Sequence, residues 1–415
     1  MQLDLEILNL FIKVDDFSIK DLREILDLLG LEVKHIDGKI LTIETLANRG
    51  DHLSHVNIAK ELALALGLEV RPVKVGTRLD FFEPSKSPSL LIDNISELTL
   101  SFAICHIRCK PFKNHKVKLK TARRDFNFKN PLVTISNYVT TEIGQPLHCY
   151  SAKKVKPPFY TKQTEICRFQ ALDGQIYSFP EHTITVFDST NRPVAIGGII
   201  GSYDSCLDDD DWEIYLESAC FDPVQIRKSR TAAGINTEAS FYFERGVAFD
   251  IQKIAIERFL EILEENYIDF EVLAFEMKNK RINSRKILLN KEIISKHLGF
   301  PVEPRDCSRI LSELDFKILS EDNIGFEVEV PPKRYFNVFI QEDLVQDLAR
   351  FIGFNKIPKS CLKFEVSPPS VNPLFDCSNR LRHFAICHGF HEVMTRVFIS
   401  PKERDTLSQL NKDDT

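Results

Sequence analysis

The amino-acid sequence predicts a multidomain α+β protein. Its 415 residues correspond to about three domains of ordinary size. A content of 43% hydrophobic and 27% charged residues is typical of globular chains. Some segments have apolar residues at helical spacing. Others are short apolar runs with turn-forming residues on both sides. Together they indicate helices combined with a strand-rich region. We therefore expect several cores joined by linkers.

Residues 1–75 predict a small α/β unit. Ser18 and Asp21 form a capping-box pair that begins a helix, and Gly30 ends it. Two strands follow, joined through Asp37-Gly38, which is a strong hairpin signal. A second helix completes the unit.

Residues 90–280 predict the largest unit, which is rich in strands. A helix over 250–265 closes it, and the linkers on either side lie at 70–90 and 278–286. The short apolar runs that we interpret as strands are 98–107, 131–135, 166–172, 182–187, 193–200 and 213–216.

Residues 287–360 predict a small helix-rich unit with a hairpin. The predicted helices are 290–298, 305–314 and 342–352, and the hairpin strands are 316–319 and 326–330. After a linker at 368–373, residues 370–415 predict the start of another unit, with a helix at 374–388 and a strand at 392–399. About 45 residues are too few for a domain of usual size, so we expect this unit to be incomplete.

Composition and charge exclude some classes of protein. No run approaches the roughly 20 apolar residues of a membrane span, and the first residues do not resemble a signal peptide, so we expect a cytoplasmic protein. The net charge is −6, yet residues 106–124 hold eight lysines and arginines and no acid. Such a stretch could neutralise several phosphates, or it could be a strand edge protected by lysines.

Seven separate motifs follow one another along about 350 residues. They are Asn48-Arg49 with Asp51 and Leu53-Ser54; Asn137 to Val139 with Gly144 to His148; Leu172 to Gly174; Gly197 to Gly201; Leu216 to Ala219; Thr237 to Gly246; and Glu342 to Leu344 with Ala349-Arg350 and Gly353. In this order they resemble the β subunit of bacterial phenylalanine-tRNA ligase.

The resemblance implies identities for the predicted units. Residues 90–280 resemble the editing-type, tRNA-binding domain of that family, and residues 370–415 resemble the start of its synthetase-like α/β module. The oligonucleotide-binding-fold domain that family members usually insert in the first unit is absent, because Asp37-Gly38 joins the two strands directly. The C-terminal half that members of this family have is also missing. We therefore expect either the front half of a β subunit or a shortened homologue.

The resemblance also implies an editing pocket that hydrolyses tyrosine wrongly attached to tRNA(Phe). An apolar aminoacylation site discriminates against a substrate with an added hydroxyl by a factor of only about a hundred. A second, hydrolytic site is therefore needed to remove the wrong product. Glu217 matches the residue that binds the phenolic hydroxyl, and Gly201 and Ala239 match positions that leave room for the ring. His148 and Thr237 match catalytic positions that would orient water or the terminal ribose.

A magnesium site is a weaker implication of the resemblance. Asp343 and Asp347 lie four residues apart, on one helical face, and could share a hard cation. Asn337 and Gln346 match the other two ligands, where the family has acids, and amides weaken Mg²⁺ binding. Carboxylates on a helix surface remain an equally good interpretation.

We therefore expect a phenylalanine-tRNA ligase β subunit that binds tRNA(Phe) and pairs with an α subunit in an α2β2 heterotetramer. The α subunit would hold ATP, phenylalanine and the activation chemistry, since this chain has no G-x-x-x-x-G-K-[ST] motif and none of the class-defining synthetase motifs is evident. Two alternatives remain open, a free-standing trans-editing hydrolase and a non-catalytic paralogue that binds a partner.

Overall fold

The computed structural model describes residues 1–82, 90–111, 117–123, 128, 130–359, 361 and 372–413. The chain divides into two units, Met1–Pro358 and Lys359–Thr415. Parts of the predicted linkers at 70–90 and 368–373 lie outside the described residues. The predicted α+β fold is confirmed, with helices arranged around antiparallel sheets.

The first part of the larger unit is a three-stranded antiparallel sheet with helices. Ser18 and Asp21 form the predicted capping box. Asp37 pairs with Ile40 across the turn at Gly38, so no domain is inserted between these strands. The elements are β1 (Gln2–Asp4), α1 (Leu5–Leu8), α2 (Ile19–Leu28), β2 (Val33–Asp37), β3 (Ile40–Ile43) and α3 (His55–Leu66), with sheet order β1-β3-β2.

Two four-stranded antiparallel sheets form the next part, in the orders β11-β4-β10-β5 and β6-β7-β8-β9. The strands are β4 (Thr99–Cys109), β5 (Leu147–Ser151), β6 (Tyr160–Gln170), β7 (Ile176–Phe187), β8 (Pro193–Ile196), β9 (Ile200–Gly201), β10 (Glu213–Phe221) and β11 (Phe270–Asn279). The helices are α4 (Pro131–Ile143), α5 (Pro223–Ala233), α6 (Glu238–Phe243) and α7 (Gln252–Glu265).

Strand β10 divides its side chains between two cores. Ile214 and Leu216 join a core with α4, α7 and the first part of the chain. Tyr215 and Ala219 join a second core, shared with the sheet β6 to β9. Because alternate strand residues point to opposite faces, Glu217 lies on the second, inter-sheet face.

The predicted strand at 131–135 is wrong, because these residues begin α4. The Asn130 side chain accepts a hydrogen bond from the Leu132 amide, and Pro131 takes the first helical position. Gly144 ends the helix at φ +85°. An N-cap, a proline and a terminal glycine are helix signals, and they outweigh a short apolar run.

The third part has its own core and a sheet of order β12-β14-β13. The predicted helices and hairpin are confirmed, and the strand β12 begins at the end of the predicted basic linker. The elements are β12 (Lys286–Asn290), α8 (Lys291–Leu298), α9 (Pro304–Glu313), β13 (Lys317–Glu321), β14 (Gly325–Glu329) and α10 (Gln341–Ile352).

The smaller unit contains α11 (Pro373–Cys387), as predicted, and α12 (Pro401–Asp413). The predicted strand at 392–399 is wrong, since the described residues there are in neither strand nor helix. A strand needs a neighbour to pair its backbone groups, and no described segment pairs with these residues.

Candidate functional site

Two of the predicted site residues are direct neighbours across a strand pair. Strands β5 and β10 run antiparallel, with Glu217 opposite His148 and Tyr215 opposite Tyr150. Opposed side chains point to the same face, with Cβ atoms about 4.5–5.5 Å apart. A carboxyl group and an imidazole from distant motifs thus lie together on the inter-sheet face.

Gly201, at the end of β9, lies against the His148 ring. A Cβ atom at this position would lie 2.5 Å from Cε1 and 2.7 Å from Nε2 of His148. It would also lie 3.0 Å from Cδ1 of Leu172. The imidazole of His148 therefore fills the space that the missing side chain of Gly201 leaves. Any larger residue at position 201 would displace the imidazole.

Thr237 and Ala239 lie at the start of α6, where Thr237 is the N-cap. The Thr237 hydroxyl donates to the Ile199 carbonyl at 2.6 Å and accepts from the Ser240 amide at 3.1 Å. Ala239 is partly buried against the inter-sheet core. The Thr237 side chain therefore ties the helix to the glycine segment that ends at Gly201.

The electrostatics of His148 favour a neutral imidazole. Its Nε2 atom is buried, and no hydrogen-bond partner is described for it. Burial lowers the pKa of His148 to about 4. At pH 7 the ring is uncharged and can donate from one nitrogen and accept at the other.

Glu217 is buried with one defined partner. Glu217 is only 6% exposed, and the Tyr150 hydroxyl donates a hydrogen bond to its Oε2 atom. Burial raises the pKa of Glu217 to about 7, while the hydrogen bond from Tyr150 acts in the opposite direction. Tyr150 is absent from the predicted site. The signal that could have found it is strand alternation, since residues two apart, such as His148 and Tyr150, share a face.

The four predicted magnesium ligands do not fit a cation site in this arrangement. Asp347 is 1% exposed and lies 2.8 Å from Nη2 of Arg334 and 3.2 Å from Nη1 of Arg350. Asn337 Oδ1 accepts from Nε of Arg334 at 3.0 Å. Guanidinium groups thus occupy the places that a divalent ion would need.

The other two predicted ligands have different surroundings. Asp343 Oδ2 accepts from the amides of Phe339 at 2.7 Å and Ile340 at 3.1 Å, as a helix cap does. Gln346 is exposed, whereas Asp347 beside it is buried. Asp343 and Gln346 therefore do not form a magnesium site with Asp347 in this arrangement.

A buried charge cluster joins the first and third parts of the larger unit. Possible ligand atoms of Asp51, His52 and Glu61 lie within 4.8 Å of one another. Arg49, however, binds Asp51 through Nε at 2.9 Å and Nη2 at 2.7 Å, and its Nη2 lies 2.7 Å from Glu61. Arg350 Nη2 also contacts Glu61.

Burial opposes ionisation of Asp51 and Glu61, but the charges around them prevail. The strongest of these are Arg49 and His52, and the pKa of each carboxyl is held below its usual range. The carboxylates are thus ionised and already paired. We interpret the cluster as structural.

The basic stretch at 106–124 is partly neutralised. Arg108 Nε lies 2.7 Å from Glu213, and Lys110 Nζ lies 3.0 Å from Asp269. Lys118 and Lys120 are exposed. Arg123 is partly buried, and the other three cations, Lys113, Lys116 and Arg124, lie outside the described residues. Phosphate binding by this stretch therefore stays a prediction.

Known protein domains match this chain in the same order as the parts described above. A model described as the B3/4 domain matches residues 110–267, and one described as the tRNA synthetase B5 domain matches residues 287–354. A phenylalanine-tRNA ligase β subunit of Prochlorococcus marinus is 28% identical over 91% of this chain and 49% of its own length. That of Pseudoalteromonas translucida is 27% identical over 93% of this chain and 48% of its own length.

This chain is related to the phenylalanine-tRNA ligase β subunits. The predicted resemblance is thereby confirmed, and the chain spans about half the length of the curated relatives it matches. A solved N-terminal fragment of the β subunit from Pyrococcus horikoshii is 11% identical, with a TM-score of 0.44, over 85% of this chain and 99% of the fragment. Among the described residues, no helix has the length and apolar character needed to cross a membrane.

Proposed function

We propose that this chain acts as a β-type subunit of phenylalanine-tRNA ligase and contributes a hydrolytic site that removes tyrosine from tRNA(Phe). The observation that carries the proposal is the pairing of Glu217 with His148 on adjacent strands, with Gly201 against the imidazole. Three separate motifs thus supply a hydroxyl acceptor, a polar ring and a close backbone approach at one place.

Glu217 is proposed to select the substrate. A carboxylate accepts a phenolic hydroxyl in a charge-assisted hydrogen bond, which is about twice as strong as a neutral one. Phenylalanine offers no such donor. Its ester would leave the buried carboxyl without that bond, and burying an unpaired polar group is costly.

His148 is proposed to orient the water. A ring with a pKa near 4 is neutral at pH 7 but is a weak base. The ester that links an amino acid to tRNA is already activated, so an oriented water matters more than a strong base. The buried Nε2 atom, which has no described partner, could accept a hydrogen bond from that water.

Thr237 and Ala239 complete the proposed pocket. The Thr237 proton is donated to Ile199, so in this proposal Thr237 acts as a positioning residue that holds the glycine segment beside His148. Ala239 is small and borders the same core, which would keep space for an aromatic ring between α6 and the strands.

The whole assembly belongs to the proposal as well. An α subunit would carry ATP and phenylalanine activation, and two copies of each chain would form the α2β2 heterotetramer that the sequence predicts, in the cytoplasm. Any Mg²⁺ requirement is assigned to the α subunit and its ATP, because the four predicted ligands here are engaged with arginines and backbone amides or exposed.

The test is deacylation of Tyr-tRNA(Phe) by the wild type and by Glu217→Ala, with and without the α subunit. Loss of a hydrogen bond to a charged group should slow hydrolysis of the tyrosyl ester about tenfold to a hundredfold. Glu213→Ala is the matched control, since Glu213 lies on the same strand but binds His106 and Arg108. Equal rates for the wild type and Glu217→Ala would refute the assignment.

A further inference from the structure

Tyr150 is the described hydrogen-bond partner of Glu217, and its own position is fixed. The side chain is fully buried. Its ring stacks on Phe159 with centroids 5.4 Å apart and meets the His148 ring edge-on at 4.6 Å. A phenol held in this way cannot swing aside without opening the inter-sheet core.

The contact is between a single donor and one of two acceptor atoms. A phenol has one proton, and Tyr150 gives it to Oε2 of Glu217. A carboxylate has two oxygens and about four lone-pair sites, so one phenol leaves it able to accept another. The carboxylate thus keeps the acceptor capacity to bind a substrate phenol as well as the internal one.

We propose that Tyr150 is a positioning residue that orients the Glu217 carboxylate and keeps it as an acceptor for a substrate hydroxyl. This inference rests on the proposed function and adds to it a residue that sets hydroxyl selectivity. Tyr150 touches neither the ester nor the water. It acts through Glu217.

The protonation of Glu217 gives the inference a readout beyond stability. Burial places the pKa of Glu217 at about 7, and the bond from Tyr150 lowers it from a still higher value. Without the phenol, Glu217 should take up its proton at higher pH. The carboxyl group would then lose its charge, and its bond to a substrate hydroxyl would weaken.

The experiment compares the wild type, Tyr150→Phe and Tyr215→Phe in the full chain. It measures deacylation of Tyr-tRNA(Phe) and Phe-tRNA(Phe) from pH 5.5 to 9. The ratio of the two rates removes the dependence on hydroxide that both esters share. Tyr215→Phe is the matched control, because Tyr215 lies opposite Tyr150 and packs on the same Phe159 ring, with no described bond to Glu217.

We expect the tyrosyl-to-phenylalanyl ratio to fall about tenfold in Tyr150→Phe at pH 7, the effect of one hydrogen bond. The ratio should recover at higher pH than in the wild type, and Tyr215→Phe should follow the wild-type profile. An unchanged profile in Tyr150→Phe would overturn the inference. A higher ratio would also overturn it, since Tyr150 would then be competing with the substrate hydroxyl.

A second measurement separates this inference from the proposed function. The infrared carboxyl band of Glu217 is obtained by subtracting the spectrum of Glu217→Gln, and its titration is followed in the wild type and in Tyr150→Phe. If neither ester is hydrolysed, the proposed function fails, and the titration still decides on Tyr150. No upward shift of the Glu217 titration in Tyr150→Phe would overturn the positioning role.

Discussion

Alanine at position 201 would place a methyl carbon 2.5 Å from Cε1 and 2.7 Å from Nε2 of His148. Non-bonded carbons rest about 3.5–4.0 Å apart, so the imidazole would have to move by about 1 Å. The φ angle of Gly201 lies outside the left-handed region, and so alanine meets no backbone strain there. The perturbation is therefore steric and acts on His148 and, at 3.0 Å, on Leu172.

The size of the effect follows from that displacement. Overpacking a core costs about 1–3 kcal/mol of folding free energy. A misplacement of about 1 Å at a reacting group can cost about a hundredfold in rate. We thus expect Gly201→Ala to remain folded and to deacylate Tyr-tRNA(Phe) about a hundredfold more slowly than the wild type.

Gly197→Ala is the matched control for this prediction. Its added carbon would lie 3.1 Å from Ile184 and from Phe221, in the same inter-sheet core, and its three nearest atoms belong to these two residues and not to His148. Urea unfolding midpoints and deacylation rates are measured for both variants. The two should lose similar stability, and only Gly201→Ala should lose its rate. Wild-type deacylation by Gly201→Ala would refute the placement of His148 in the proposed site.

Two further predictions concern buried carboxyl groups. Glu217 has a folded-state pKa of about 7 against an ordinary value of 4.5, so the stability it contributes is present below pH 4.5 and is lost as the pH rises through 7. Glu217→Gln should therefore be more stable than the wild type by about 3 kcal/mol at pH 8 and nearly equal to it at pH 4.5, and equal urea midpoints at pH 8 would contradict this. Glu61→Gln removes the negative charge that Arg49 and Arg350 share and should cost about 3–5 kcal/mol. Faster hydrogen exchange in α10 should accompany that loss, and the exposed control Glu24→Gln should change neither quantity.

Much of the local structure could be predicted because its causes are local. Ser18 and Asp21 lie three residues apart and satisfy helix-terminal amides wherever the helix packs. The turn at Gly38 and the helix that ends at Gly67 depend on left-handed φ angles, which glycine adopts at little cost. These elements are therefore visible in a few consecutive residues.

The two wrong strands have different physical reasons. At 131–135 a short, mostly apolar run fits a strand or a buried helix equally well, and the capping residues on either side decide the outcome. At 392–399 the apolar residues suit a strand, yet no partner strand is described for them. A strand is stabilised by its neighbours, and its own sequence does not supply them.

The resemblance implied the magnesium site, and the spacing of two carboxylates along one helix agreed with it. Asp343 and Asp347 do lie on α10, four residues apart. The spacing could not show that Arg334 and Arg350 surround Asp347, or that Asp343 caps its own helix. Which charge pairs with which is decided by the packing of distant segments, because electrostatic energy depends on distance in space.

The sequence by itself determined the order of parts, the capped helices, the hairpin at Gly38 and the relationship to phenylalanine-tRNA ligase β subunits. Tertiary structure alone decided that Glu217 faces His148, that Tyr150 donates to Glu217, and that Gly201 lies against the imidazole. The physical reason is strand register. A shift of one residue between β5 and β10 would move these side chains to opposite faces, and register is selected by the burial of both cores together.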